Sequence, residues 1–403
     1  MLKTFKYRIY PNKEQEALFI KTFGCIRFVW NKMLEEKLNA LNNKQKIPRI
    51  TPTKYKKDYS FLKEVDSLAL ANAQLSIEKA FRNFFKNPKY FKLPKFKSKK
   101  NKQSYTTNSA NNNIKVDFEK KLIYLPKIKQ GIKAKFHRRF NGKIKSVNIK
   151  LTNTNKFYAS ILIKTDEVKN KIKDPNSKSC GIDLGLKNFA IITNDNETYK
   201  IEHPKYLIKS EKKLKRLQRK LSKKQKGSKN RSKMKIRLGV QYEHVINARN
   251  DFLHKLSKVI IDENQVIVVE DLNVNGMIKN HKLSRSISDS GWYVFVKCLE
   301  YKTEWYGRNL VKVDRFFPSS RMCNKCGYIN ETLRLSDRYW KCPSCNTKHD
   351  RDINASINLY KIGLERPEFK PVEHALVDDR ISYEMPKKPS CVKTGSSTFY
   401  KVG

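Results

Sequence analysis

Acidic residues are scarce in this chain: 38 Asp and Glu stand against 87 Lys and Arg across 403 residues, a formal charge of +49 at pH 7. An excess that large goes far beyond what solubility needs and calls for a polyanionic partner, nucleic acid first among them. Long apolar runs are absent. The longest strongly apolar stretch is Val266–Val269, far short of the roughly 20 residues of a membrane helix. The opening MLKTFKYRIYPNKEQ has no secretory core, so a cytoplasmic location without a membrane is expected, with action on the nucleoid. No repeat of 20–50 residues is visible. Apolar residues still make up 38% and aromatics 11%, enough to build real cores and to exclude wholesale disorder. At roughly 100–200 residues per domain, two to four domains are expected.

Residues 1–10 read as a strand ended by Pro11, with Asn12 placed to cap a following helix. Leu18, Phe19, Phe23, Ile26, Phe28, Val29, Trp30 and Met33 then recur at mixed helical spacing, and a second helical pattern runs from about Leu62 to Phe85. A basic loop follows over 94–102. From about 103 to 170 the period becomes two, with expected hairpins at Lys115–Leu125 and Ile144–Ile163, which together suggest a small β-barrel with one basic face. Val168–Lys178 reads as a linker. Beyond it come strand–turn–strand from Cys180, two basic helices over 205–258 broken at Gly227–Ser228, and a buried strand over 265–272. A helix over 289–309, a strand at Leu310–Val313 and a short helix at NASINLYKIGLE complete the order. The tail after about Arg366 has no core-forming pattern.

Eight cysteines include two tight pairs, Cys323-x2-Cys326 and Cys342-x2-Cys345, separated by fifteen residues. A disulfide framework belongs to small secreted domains. Paired CxxC units in a large basic chain point instead to a tetrahedral thiolate cage for one Zn²⁺. Four thiolates close the shell, so the metal is expected to be structural, and His349 is expected to stand by. Three acids are out of character in so cationic a chain: Asp183 in IDLG, Glu270 at the end of VIVVE, and Asp352 in HDRDINASIN. Singly, each has a plain reading as a turn residue, an ion-pair partner or a helix cap. As strand acid, strand acid and helix acid in that order, they suit two divalent ions, Mg²⁺ by preference, and phosphodiester hydrolysis. Asp271 and Asp350 are neighbours that could stand in for Glu270 or Asp352. Residues 209–237 hold fifteen Lys/Arg and one acid, Glu211, which favours a phosphate-facing surface docked through Leu214, Leu217 and Leu221. Phe28, Trp30, Tyr55 and Phe91 are candidates for base stacking, with burial the expectation for the first two.

GIDLGLKNFA, VVEDLNV, PSSRMCNKCG with YWKCPSC, and DRDINASINL together resemble the TnpB proteins of insertion sequences, and YRIYPNKEQ, FGCIRFVWN and LPKFKSKK extend the resemblance over about residues 1–365. The resemblance implies a multidomain α+β and α/β protein. A helical recognition domain (11–102) is inserted in a wedge β-barrel (1–10 and 103–170). An RNase H-like RuvC nuclease (178–317 and 349–366) follows, carrying a zinc ribbon (318–348), and a flexible tail covers 367–403. It implies an RNA-guided endonuclease of double-stranded DNA with Asp183, Glu270 and Asp352 as catalytic, magnesium-binding residues and Cys323, Cys326, Cys342 and Cys345 on zinc. The implied partners are a guide RNA from the transposon end, target DNA beside a short motif, and a separate transposase, with a monomer expected rather than a dimer. The other readings are a nuclease-inactive RNA-guided repressor, a zinc-ribbon DNA-binding protein serving a transposase, and a miniature type V CRISPR effector.

Overall fold

The chain divides into two units, Met1–Glu167 and Val168–Gly403, and the computed structural model describes residues 1–165, 179–334 and 336–364. The linker expected over Val168–Lys178 and the tail expected over 367–403 lie outside the described residues.

The first unit begins with β1 (Leu2–Tyr10) and α1 (Lys13–Asn42). Asn12 starts α1 through a reciprocal cap: its side chain accepts from the Gln15 N–H at 2.8 Å, and the Gln15 side chain accepts from the Asn12 N–H at 3.0 Å. α2 (Pro52–Asp58) and α3 (Ser67–Lys86) follow, the latter capped by Asp66. Then come β2 (Gln103–Asn108), β3 (Lys115–Asp117), β4 (Leu122–Tyr124), β5 (Ile132–Lys135), β6 (Lys143–Leu151) and β7 (Phe157–Lys164). α1 serves two cores, which is why its apolar spacing is mixed. Phe19 and Phe23 pack on the sheet, while Val29, Met33 and Leu34 pack with Leu70, Ile77 and Phe81 of α3.

The seven strands pair in the order β2-β6-β7-β1-β5-β4-β3. β1 lies antiparallel between β7 and β5, with Tyr7 beside Ala159 and Arg8 beside Lys135. Tyr7 and Ile9 point into the core, and Lys6, Arg8 and Tyr10 point the other way, as a period of two requires. The expected barrel is corrected in one respect: among the described residues no pairing joins β2 to β3, so the sheet stays open there. β3 and β4 are three residues each, too short to carry a ladder round to the opposite edge. All seven strands nevertheless feed one core.

The second unit holds β8 (Ser179–Leu184), β9 (Asn188–Asn194), β10 (Thr198–Glu202), α4 (Tyr206–Ser222), α5 (Lys229–Glu263), β11 (Val266–Glu270), α6 (Val274–Met277), α7 (Ser284–Ser290), α8 (Trp292–Tyr306), β12 (Asn309–Val313), β13 (Tyr339–Lys341), β14 (Lys348–Asp350) and α9 (Arg351–Leu364). The helix expected over 289–309 is α8 for most of its length; its first two residues belong to the end of α7, because Gly291 takes a left-handed conformation (φ +71°) between the two. The last helix begins at Arg351, ahead of the expected NASINLYKIGLE. The main sheet runs β10-β9-β8-β11-β12. β8, β9 and β10 form an antiparallel meander, while β8, β11 and β12 are parallel. Cys180, Ile182, Ile267, Leu253, Trp292 and Phe295 fill one face.

α9 covers the other face at backbone distance. A Cβ on Gly181 would collide with the Tyr360 nitrogen and the Ser356 oxygen and sit 2.8 Å from the Leu359 carbonyl carbon, and one on Gly363 would meet Val268 Cγ2 at 2.9 Å. The helix therefore runs antiparallel to β8 and β11: its C-terminal Gly363 lies near Val266 and Ser179, where those strands begin. Its first turn is thereby carried toward their C-terminal ends. Gly181→Ala should force α9 off the sheet and cost roughly 1–3 kcal/mol or more, read as a lowered urea midpoint of the purified chain; an unchanged midpoint would count against this contact.

Candidate active site and metal centre

Asp183 and Glu270 are set side by side by register. Val269 pairs with Ile182 across the parallel β8–β11 ladder, and each acid is the next residue on its strand, so both lie at the C-terminal edge of the sheet. Asp352 occupies the first turn of α9, which the close packing at Gly181 brings to the same edge. All three are half-buried. Desolvation pushes the Asp183 carboxyl well above the usual carboxylate range, and the Glu270 and Asp352 charges push it further; Arg351 opposes them. Glu270 is raised by desolvation as well, against a hydrogen bond from the Ser319 hydroxyl that lowers it. Among the described residues no hydrogen bond or ion pair reaches the Asp183 side chain, whereas Asp352 is flanked by Arg338 Nη2 at 3.2 Å and Arg351 Nη2 at 3.4 Å. An oxygen-only donor set with a like-charge clash and no direct ion pair on Asp183 fits a hard divalent cation.

The two neighbouring acids have other partners. Asp271 pairs with Arg315 at 2.8 Å on the surface. Asp350 bonds Lys200 at 3.2 Å and accepts from the Asp352 N–H at 3.1 Å, which makes it the cap of α9. Burial raises Asp350, but Lys200 and the backbone N–H groups of Ile353 and Asp352 outweigh it and hold the carboxyl below the usual range. Ser319 and Arg338 escaped the sequence reading. Each reaches its carboxylate only through the fold, and no local pattern marks either.

The four paired cysteines converge. Their sulfurs lie within 4.8 Å of one another, with Cys323–Cys345 and Cys326–Cys342 at 3.6 Å. A tetrahedron with Zn–S bonds of about 2.3 Å has edges of about 3.8 Å, so the donor set suits Zn²⁺. The two knuckles repeat one turn: the N–H of Gly327 bonds the Cys323 carbonyl, and that of Asn346 bonds the Cys342 carbonyl, both at 2.9 Å. Gly327 (φ +79°) and Asn346 (φ +58°) hold the left-handed position in each, so Asn346 is the counterpart of Gly327. His349 is no bystander. Its Nε2 lies 3.1 Å from the Cys323 sulfur, and its ring packs on Trp340 at 4.7 Å. Among the described residues, the carboxylate trio is gathered less tightly than this cage.

α4 and α5 form a hairpin zipped by buried Leu214, Leu221 and Leu238, with half-buried Leu217 against them, and Ser228 caps α5. The loop after α3 is pinned to α1: Trp30 Nε1 donates to the Lys95 carbonyl at 3.1 Å, and Asn31 brackets the Lys97 backbone at 2.8 and 2.9 Å. Lys97 Nζ sits 3.5 Å from the centre of the Trp30 ring, and burial lowers it to about 8. Trp30 and Tyr55 are buried and Phe28 is half-buried against Tyr59 and Phe61; of the four stacking candidates only Phe91, 39% exposed, faces solvent.

Three family models match the chain: one described as "Probable transposase" over residues 160–281, a Cas12f1-like TNB domain over 292–359, and a helix-turn-helix domain over 1–46. The last span holds one strand and one 30-residue helix here, not two short helices. A Streptomyces pristinaespiralis protein named for an inferred RNA-guided DNA endonuclease activity is 34% identical over 373 residues, covering 90% of this chain and 89% of its own. InsQ of Escherichia coli K12, named in the same way, is 29% identical, covering 90% and 92%. A TnpB-like protein of Methanocaldococcus jannaschii is 33% identical over 138 residues, covering 32% and 47%. A cryo-EM structure of a Cas12f1–sgRNA–target DNA complex superposes with TM-score 0.56 at 15% identity, over 89% of this chain and 98% of that one, which is a likeness of fold.

Two outcomes follow for the free protein. Asp183→Asn removes a charge whose raised pKa works against folding: stability associated with that group is full below the unfolded value near 4 and is lost as pH rises through the folded value. In buffer free of divalent ions at pH 7 the variant should therefore be more stable. Thermal unfolding should show a raised midpoint for the variant; a lowered one would mean that the Asp183 carboxylate is paired in the folded chain. Cys342→Ser should drop zinc content from one ion per chain to none by elemental analysis.

Proposed function

The chain belongs to the TnpB family of insertion sequences, and from that premise we propose that it is an RNA-guided DNA endonuclease whose hydrolytic centre is Asp183, Glu270 and Asp352. The observation that carries the assignment is the Asp183 carboxyl, set by strand register beside Glu270 and near Asp352 on a chain of charge +49, with no direct hydrogen bond or ion pair to it among the described residues. Asp183, Glu270 and Asp352 would hold Mg²⁺, two ions by expectation. When bound, these supply an activated water and neutralise charge on the scissile phosphodiester. The protein's own share is positional. The parallel β8–β11 register fixes two carboxylates, α9 brings the third, Ser319 orients Glu270, and Arg338 and Arg351 hold Asp352.

The five-stranded order, with three antiparallel strands continued by two parallel ones, supports reading the second unit as RNase H-like and of the RuvC kind. The seven-stranded sheet and α1–α3 correspond on this reading to the wedge and the recognition helices, and Cys323, Cys326, Cys342 and Cys345 to a structural zinc ribbon. Guide RNA and target DNA are the polyanions that the charge demands, with sequence left to base pairing and a short adjacent motif read by protein. Strand transfer falls to a separate transposase. Each chain carries a full set of acids, so one protomer suffices. No helix among the described residues is long and apolar enough to cross a membrane. All three carboxylates are present, so no feature of the site favours a nuclease-inactive repressor.

The test uses the full chain purified with its copurifying RNA, whose sequence defines the target plasmid. With Mg²⁺ the wild type should linearise that plasmid, and Asp183→Ala should lower the rate by roughly a thousandfold or more while RNA-dependent binding persists. Binding without cutting by the wild type would instead make the protein a repressor, and binding that ignores RNA would refute guidance.

A further inference from the structure

We infer that the segment Pro318–Asn324 is a joint that ties the cysteine cage to Glu270 and Asp352, with Ser319, Asn354 and Asn358 as positioning residues; the inference rests on the carboxylate reading proposed above. Ser319 is 4% exposed, and its hydroxyl donates to Glu270 Oε1. Its carbonyl accepts from Asn358 Nδ2 at 2.7 Å and from Asn354 Nδ2 at 3.4 Å. Three residues on, the Met322 carbonyl accepts from the same two amides, both at 2.7 Å. Asn354 completes the stitch by accepting from the Asn324 N–H at 2.9 Å, and Lys361 donates to the Asn324 carbonyl.

Asn354 and Asn358 are each 1% exposed and stand one turn apart on the same face of α9. Cys323 lies between the two anchored residues Met322 and Asn324, so a cage sulfur is the next atom group along the chain. Asp352 lies two residues before Asn354. The ribbon also meets α9 from its other end, because β14 runs directly into the helix and His349 on it reaches the Cys323 sulfur. Asp352 is therefore held between the knuckle and the exit strand, and Glu270 is held by the base of the same knuckle.

Apolar residues could not do this work. The Ser319 and Met322 carbonyls are buried against α9, and leaving such acceptors unpaired is costly. The asparagines satisfy them with directional bonds, which fix the rotation of α9 as well as its distance. Asn354 also offers both its donor and its acceptor to the knuckle, a pairing that Asp or Leu at the same place would break. The consequence is that the closed, structural metal site acts on the hydrolytic one through the protein.

Two measurements on the full chain decide this. In the first, hydrogen exchange is compared with zinc loaded and with zinc removed by a zinc-selective chelator. The joint requires amides in the first two turns of α9 to exchange at least about tenfold faster without zinc, with the β6–β7 hairpin unchanged. Acceleration that stops at residues 323–345, or that spreads equally over β8, β11 and α9, would overturn it. In the second, Mn²⁺ binding is followed by electron paramagnetic resonance with no nucleic acid present. Ser319→Ala should weaken Mn²⁺ roughly tenfold while keeping one zinc per chain, and Ser319→Thr should restore it; unaltered affinity in Ser319→Ala would overturn the role of Ser319. Failure of the unsubstituted chain to bind Mn²⁺ would count against the carboxylate assignment alone, because the exchange arm still decides the joint.

Discussion

The contact between the backbone of α9 and the backbone of β8 at Gly181 is the constraint from which the rest of the second unit follows. Without a Cβ at that position, the Ser356 and Tyr360 main chain can lie on the strand, and Thr193 Oγ1 on β9 can meet Ser356 Oγ at 2.7 Å. That approach sets the direction of the helix, so its first turn overhangs the C-terminal edge of β8 and β11. Parallel strands in register already place Asp183 and Glu270 at that edge. Acids separated by more than eighty residues at each step of the sequence thus become neighbours through one glycine and one ladder.

Electrostatics gives this arrangement its meaning. Positive charge is in large excess along the chain, and in α4 and α5 a basic sequence is accommodated on helices zipped together by leucines. At the sheet edge the sign reverses and the cost rises, since partial burial and mutual repulsion both disfavour the ionised form of Asp183. Proteins retain such groups where chemistry needs them. The protein moderates the clash selectively: guanidinium groups from Arg338 and Arg351 attend Asp352, a hydroxyl attends Glu270, and among the described residues no hydrogen bond or ion pair reaches the Asp183 side chain, which feels Arg351 only at longer range.

What could be read from the sequence follows from how local each signal is. The Asn12 cap, the two CxxC units, the break at Gly227–Ser228 and the hairpins over 115–163 depend on residues within a few positions of one another, and the structure has each element there. The double duty of α1 showed only as blurred periodicity, since one helix feeding two cores superposes two stripes. The open edge between β2 and β3 was illegible because closure depends on strand length, which pattern reading judges poorly at three residues. His349 looked idle because four sulfurs fill a zinc shell by count, whereas its hydrogen bond to the Cys323 sulfur is a matter of geometry. Ser319, Asn354 and Asn358 look like ordinary polar residues in a loop and a helix, and their partners lie up to 49 residues away.

This last group bears on how the ribbon should be regarded. A four-cysteine module of this size looks separable, an insert that could be cut out with its metal. Yet its first knuckle is bonded into α9 at Asn354 and Asn358, its last strand runs into α9 without a break, and Arg338, just ahead of β13, reaches both Asp350 and Asp352. A module attached at one point could loosen without consequence. One attached at the base, the knuckle and the exit strand shares its rigidity with whatever those points hold, and here they hold two of the three carboxylates. On the proposed reading, the hydrolytic centre has the edge of the sheet for its floor and the first knuckle of the cysteine cage for one wall.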